Sequence, residues 1–385
     1  MRQRQLFLST LAFMISFALW GSIAALAPRL RVQYGLTEEQ TALAVAVPVL
    51  LGSLTRIPLG ALADRLGGRV VFTALLAFGA LPAAALTLFH SYVALLVGGF
   101  FLGIAGASFA VGVAFSTRWF AQEQQGLALG IFGIGNVGQS VVAFSAPLIA
   151  RSLGWEAVFW IFGSASLVWA AIFWIFARDA GPPRSISLRH VAGVLARERL
   201  SWVLAYFYFI TFGGFVALAI YLPTLLRVQF NVTLEDAGMR TAIFVLVATA
   251  MRPLGGWLSD RVGGARVLTV VFAMIVLCAL ALVSQSFAVF STGALVGATM
   301  LGLGNGAVFK LVPKYFPADV GTVTGLVGAF GGLGGFFPPL VLGVLEEATG
   351  SYAIGFLLLG AFAVAAAATN LAVFDRPVAG RIPVK

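Results

Sequence analysis

Hydrophobic positions along this chain fall into long blocks rather than short alternating runs. Twelve mostly apolar stretches are separated by polar breaks, at roughly 6–28, 40–62, 70–89, 93–117, 125–150, 155–177, 200–226, 238–258, 267–285, 289–313, 320–345 and 351–374. A helix needs about 20 such residues to cross the hydrocarbon core of a bilayer. Each block is therefore predicted to be one transmembrane helix, which makes the fold class an all-α polytopic membrane protein. The longest break, "ARDAGPPRSISLRHVAGVLARER" (Ala177 to Arg199), is polar and carries a proline pair. It divides the blocks six and six and reads as a solvated tether. The expected organisation is an N-terminal six-helix bundle over 1–177, a cytoplasmic central loop over 178–199 and a C-terminal six-helix bundle over 200–385.

Composition agrees with this class. Of the 385 residues 60% are hydrophobic and 10% charged, against about 25% charged in a soluble domain. The net charge of +10 comes with no basic stripe interleaved with aromatics, so nucleic acid is not the expected partner. Cys278 is the only cysteine, which leaves no disulfide framework and no thiolate metal site. His90 and His190 belong to no ligand cluster, and neither a metal nor a cofactor is expected. The start, "MRQRQ" followed by an apolar run and "AALA", imitates a signal peptide. Leu6–Ala27 is longer than a signal h-region of about 7–15 residues, and Pro28 would hinder cleavage, so a retained first helix is expected.

Lys and Arg are in excess in cytoplasmic loops, and their distribution sets the orientation. With the N-terminus inside, 16 basic residues face the cytoplasm: Arg2, Arg4, Arg65, Arg69, Arg118, Arg178, Arg184, Arg189, Arg197, Arg199, Arg261, Arg266, Lys314, Arg376, Arg381 and Lys385. Five face outward: Arg29, Arg31, Arg151, Arg227 and Arg240. Both termini are expected in the cytoplasm, with the protein in the cytoplasmic (inner) membrane. Arg56, Arg252 and Lys310 remain inside helices.

The two halves echo each other at an offset near 196: Arg56 maps on Arg252 and "ADRLGGR" on "SDRVGGAR". Parallel repeats of this kind place a substrate site near the midplane, between the halves. Each arginine precedes an aspartate, Asp64 or Asp260, by eight residues, which is about 12 Å of helix. A charge at that depth is costly and faces the bundle interior, paired or lining a pathway. All 14 acidic residues fall in loops or at helix ends, so no buried carboxylate answers the two guanidiniums. The missing anion is then the substrate. A guanidinium offers paired donors to planar or forked oxyanions, which a carboxylate, nitrate, nitrite or phosphate would all satisfy. "GLALGIFGIGNVGQS" (Gly126 to Ser140) and "GLVGAFGGLGGFFPP" (Gly325 to Pro339) have glycines every two to four residues. Such spacing lets helices approach closely and leaves a narrow cavity for a substrate of few atoms.

"GALADRLGGR" (Gly60 to Arg69) resembles the cytoplasmic loop motif of the major facilitator superfamily, through Gly60, Asp64, Arg65 and Arg69, with a degenerate copy around Asp260 and Arg261. That resemblance implies the twelve-helix fold of two pseudo-symmetric six-helix bundles. It also implies a conformational latch in which the Asp accepts hydrogen bonds from a neighbouring helix end. The two glycine-rich stretches resemble the paired signature motifs of the nitrate/nitrite porter (NarK-type) family. "GASFAVGVAFSTRWF" (Gly106 to Phe120), "GLGNGAVFKLVPKYFP" (Gly302 to Pro317) and "YFITFGGF" (Tyr208 to Phe215) resemble it too. This resemblance implies Arg56 and Arg252 as ligands of a small inorganic anion, with Tyr208, Phe212 and Phe109 as aromatic walls and Asn136 and Asn305 as polar helpers. Where Asn136 stands in the first motif the second has Gly331, so the halves cannot hold the substrate alike.

A proton-driven transporter keeps an Asp, Glu or His in its pathway, and none is placed there. Nitrate/nitrite exchange fits that absence; nitrate–proton symport through a tyrosine or a bound water is the alternative. A transporter of a larger organic anion would need a roomier, more polar cavity. An enzyme would need a nucleophile–base or metal-ligand cluster, and a sensor a soluble output domain. Lys310, near the cytoplasmic end of its helix, either snorkels or guides anions inward. Relatives of this fold work as monomers among membrane lipids, and a monomer is expected.

Overall fold

In the computed structural model, residues 1–181, 187–349 and 351–374 are described. Arg184, Arg376, Arg381 and Lys385 of the predicted inner set lie outside them. Among the described residues every regular element is helical. The twelve predicted blocks correspond to α1 (Arg2–Tyr34), α2 (Glu38–Leu54 continued by Arg56–Leu66), α3 (Gly68–Leu88), α4 (Tyr92–Thr117), α5 (Gln122–Leu153) and α6 (Glu156–Phe176). In the second half they are α7 (Arg199–Phe230), α8 (Leu234–Val262), α9 (Gly264–Leu282), α10 (Phe287–Tyr315), α11 (Val320–Thr349) and α12 (Ala353–Phe374). Eleven are long and apolar enough to cross a membrane, and the apolar part of α11 assessed in that way is Val320–Phe336.

Element ends follow local chemistry. The α2–α3 and α8–α9 turns hinge on Gly67 and Gly263, whose φ values of 91° and 93° lie where a Cβ would clash. These two glycines are 196 residues apart, as the repeat requires. Helix α2 is interrupted at Thr55. Pro58 follows three residues later and cannot donate to the Leu54 carbonyl, so the break falls immediately before Arg56. Helix α1 runs on through Pro28 to Tyr34. Arg29 and Arg31, expected in an outer loop, therefore lie in its last turns.

Within the halves, α1 packs on α5, α3 on α6, α8 on α10, and α9 on both α10 and α12. Between them, α2 packs on α11 and α5 on α8, two contacts related by the repeat. Gly60 meets Gly321 and Gly126 meets Gly256 so closely that a Cβ on any of the four would strike the opposing backbone. Asp64 of α2 caps the start of α11, accepting from Gly321 N (3.0 Å), Thr322 N (2.8 Å) and Thr322 Oγ1 (3.2 Å). Asp260 of α8 caps α5 likewise, accepting from Gly126 N (3.0 Å) and Leu127 N (2.8 Å). Free N–H groups and the helix dipole both favour a carboxylate there. The latch that the loop motif implied is therefore formed on both sides at one end of the bundle, the motif end.

The other motif residues act locally. Arg69 Nε donates to the Trp174 carbonyl (3.0 Å), and its guanidinium lies over the Trp174 ring, as that of Arg261 lies over Trp257. Arg65 makes no hydrogen bond or ion pair among the described residues. Within the central segment, Leu188–Arg197 is a helix. Ser187 caps it by accepting from His190 N (3.1 Å), and Val191 and Val194, spaced to share a face, are buried.

Candidate anion-binding site

The two arginines are fixed by the elements just described. Arg56 follows the α2 break, and Arg252 occupies the same register of α8, each eight residues from its latch aspartate. They are 2% and 3% exposed, and among the described residues no carboxylate lies within 4 Å of either guanidinium. Two Arg56 donors go to backbone: Nε donates to Gly106 O of α4 (3.0 Å) and Nη1 to Gly328 O of α11. Arg252 donates through Nη2 to the Tyr208 hydroxyl (3.1 Å), while its Nη1 is buried with no acceptor. A charged donor left in that state costs on the order of 1–3 kcal/mol or more. It marks where an acceptor would be most stabilised.

Aromatic rings surround Arg252. Phe109 and Phe212 lie 5.6 and 5.7 Å from its guanidinium carbon, inside the range of cation–π attraction. Tyr208 is parallel to both, within 8° of Phe212 (5.0 Å) and 7° of Phe109 (6.3 Å). Phe309 of α10 stands edge-on to Phe109 and to Tyr208, at 4.7 Å from each. That fourth ring was missed from the sequence, although it lies four residues after Asn305 within a stretch already singled out. The predicted walls are thus brought together, and they enclose one arginine more closely than the other.

The glycine motifs do more than let helices approach. A Cβ at Gly133 of α5 would lie 2.8 Å from Arg252 Nε, and one at Gly328 of α11 would lie 3.1 Å from Arg56 Cδ. Gly133 and Gly328 are 195 residues apart, matching the repeat. Gly331 lies against Tyr208, and a Cβ there would strike its ring. These positions leave room for the side chains of the site. The asparagines are less tied to it. Asn136 Nδ2 and Asn305 Oδ1 are buried without partners, and no hydrogen bond joins either residue to an arginine among the described residues.

The chain matches the Major Facilitator Superfamily over residues 8–337 and 204–384. It is 40% identical to the "Nitrite extrusion protein" of Bacillus subtilis, over 94% of this chain and 92% of that one. It is 36% identical to the "Probable nitrate transporter NarT" of Staphylococcus epidermidis, over 98% of both. The chain belongs to the nitrate/nitrite porter family of the major facilitator superfamily. Among solved structures it resembles the human organic anion transporter MFSD10 (TM-score 0.79, 17% identity, 96% of this chain and 99% of that one). It also resembles the transporter FucP in its outward conformation (TM-score 0.75, 18% identity, 95% and 98%). At these identities the likeness establishes the major facilitator fold. Family membership makes the chain an integral membrane transporter and not an enzyme.

Proposed function

We propose that the chain carries nitrate and nitrite across the cytoplasmic membrane by alternating access, exchanging one anion for the other at the Arg56–Arg252 site. The observation that carries this reading is the buried arginine pair without a carboxylate, with one guanidinium donor unspent among aromatic rings. The names of the relatives support the identity of the anion. In this reading the site is ringed by Arg56, Arg252, Tyr208, Phe109 and Phe212, with Asn136 and Asn305 as outer polar groups. Moving a doubly positive empty site through the membrane interior is costly. A bound anion cancels part of that charge, so the loaded carrier reorients faster than the empty one. The two six-helix bundles, 1–177 and 200–385, rock about the site while the 178–199 segment joins them. The motif end, with both termini, faces the cytoplasm, and the unit is a monomer in lipid.

The test is uptake of labelled nitrate into liposomes holding the purified protein, with and without trapped nitrite, at equal pH on both sides. Exchange predicts strong uptake only with internal nitrite. Uptake that ignores nitrite but follows an imposed inward proton gradient would make the protein a nitrate–proton symporter instead.

A further inference from the structure

The two latches at the motif end are built differently. At the α2–α11 latch, the Asp64 carboxylate accepts only from neutral donors of α11, and the cation beside it, Arg118 of the same half, donates to the Asp64 main-chain carbonyl (3.3 Å) and makes no bond across the latch. At the α5–α8 latch a cation is added. Lys310 of α10 is 6% exposed, and its Nζ lies 2.6 Å from Asp260 Oδ1. The same Nζ donates to the Gln122 carbonyl at the start of α5. One ammonium therefore touches both halves of the chain. The repeat places Ala114 where Lys310 stands in the second half, and a Cβ at Gly321 would lie 3.0 Å from the Ala114 Cβ. At this repeat position the first latch thus has a methyl group where the second has an ammonium bonded to the latch carboxylate.

We propose that Lys310 is a positioning residue that clamps the motif end shut on the α5–α8 side and so gates release of the anion there. With the clamp made, Asp260 is satisfied by three donors from two helices, and Lys310 is neutralised. Parting α5 from α8 removes Gly126 N, Leu127 N and the Gln122 carbonyl together. Lys310 and Asp260 then remain paired within the second half. That pairing keeps an anion leaving along the opened cleft from meeting an uncompensated carboxylate. Opening breaks three hydrogen bonds between the halves on either side, but only on the α5–α8 side does a buried ammonium lose its acceptor, which makes that side the costlier to part.

The test reads distances between paired spin labels in the protein with Cys278 replaced by alanine, in nanodiscs and without nitrate. One pair is Glu123→Cys with Val262→Cys across the α5–α8 latch. The other is Leu66→Cys with Ala318→Cys across the α2–α11 latch. All four positions are exposed. Lys310→Met is expected to raise the long-distance population of the first pair on the order of tenfold, in the range of ordinary conformational coupling. The second pair should move less, and Lys310→Arg should restore the short distance. If Lys310→Met does not fold, Lys310→Gln, which keeps an N–H donor and loses the charge, is read in the same way. An unchanged first-pair distribution in a folded, charge-free variant would overturn the proposal, as would an equal response of both pairs. Only the gating of anion release rests on the functional reading above. The label distances need no substrate, so failed transport with an intact clamp response would count against that reading and not against the clamp.

Discussion

A methyl group at Gly133 should damage anion binding while sparing the fold, and a methyl group at Gly130, one turn earlier on α5, should do the reverse. The Gly133 Cβ would lie 2.8 Å from Arg252 Nε and 3.2 Å from its Cζ. The obstructing group is the far end of a flexible side chain, so it yields by about 0.6 Å to reach ordinary contact near 3.4 Å. Displacements of about 1 Å at a positioned group cost on the order of 10²-fold. A shift of this size should therefore weaken nitrate binding by roughly 5- to 50-fold, with little loss of stability. At Gly130 the Cβ would lie 2.5 Å from Pro253 Cα and 2.7 Å from Arg252 O. Neither backbone atom can move without parting α5 from α8, and overpacking of this kind costs about 1–3 kcal/mol. The assay is thermal unfolding of each purified variant over a nitrate titration. Gly133→Ala should keep the ligand-free Tm and lose most of the nitrate-dependent rise, which reports binding to the native state. Gly130→Ala should lower the ligand-free Tm. Native nitrate affinity in Gly133→Ala would refute the reasoning, because it would mean that the position of the Arg252 guanidinium does not matter to the anion.

Other outcomes follow from the same contacts. Tyr208→Phe removes the acceptor held by Arg252 Nη2 and should lower nitrate affinity about 2- to 13-fold, the equivalent of one hydrogen bond at about 0.5–1.5 kcal/mol, as measured by binding titration. Arg252→Lys keeps the charge but loses the planar fork, and counterflow should fall by at least about 100-fold while expression is retained. Asp64→Asn leaves the amides of Gly321 and Thr322 with a weaker acceptor. It should therefore raise motif-end accessibility to a thiol reagent without changing the intrinsic affinity of the site.

Much of this arrangement was legible in the sequence because the bilayer simplifies the reading. Spans announce themselves by length and hydropathy, and a charge inside one stands out against an apolar background. Arg56 and Arg252 were found in that way, and the lack of a carboxylate partner followed from counting fourteen acidic residues. What stayed hidden depended on partners distant in the chain. The glycines read as packing residues, yet Gly133 and Gly328 leave room for guanidiniums that lie 119 and 272 residues away in sequence. Lys310 could not be assigned because its partners come from α8 and from the start of α5. The linker helix did carry a local signal, with Ser187 as cap and Val191 and Val194 on one face, but the polar composition around it masked the pattern. The inequality of the arginines, one bonded to two carbonyls and the other to a tyrosine hydroxyl with a buried Nη1 that has no acceptor, emerges only in three dimensions.

In the function proposed above, a small anion completes the Arg56–Arg252 pair. Equilibrium binding of labelled nitrate to the purified protein tests it most directly, with nitrite as competitor and with Arg56→Gln and Arg252→Gln as comparisons. One nitrate per chain is expected, displaced by nitrite. Binding should be lost in both variants, while the ligand-free Tm of Arg252→Gln stays at or above that of the native chain, because it relieves a buried positive charge whose Nη1 has no acceptor. Saturable nitrate binding that survives in Arg252→Gln would contradict it, and the site would then have to be sought elsewhere in the fold.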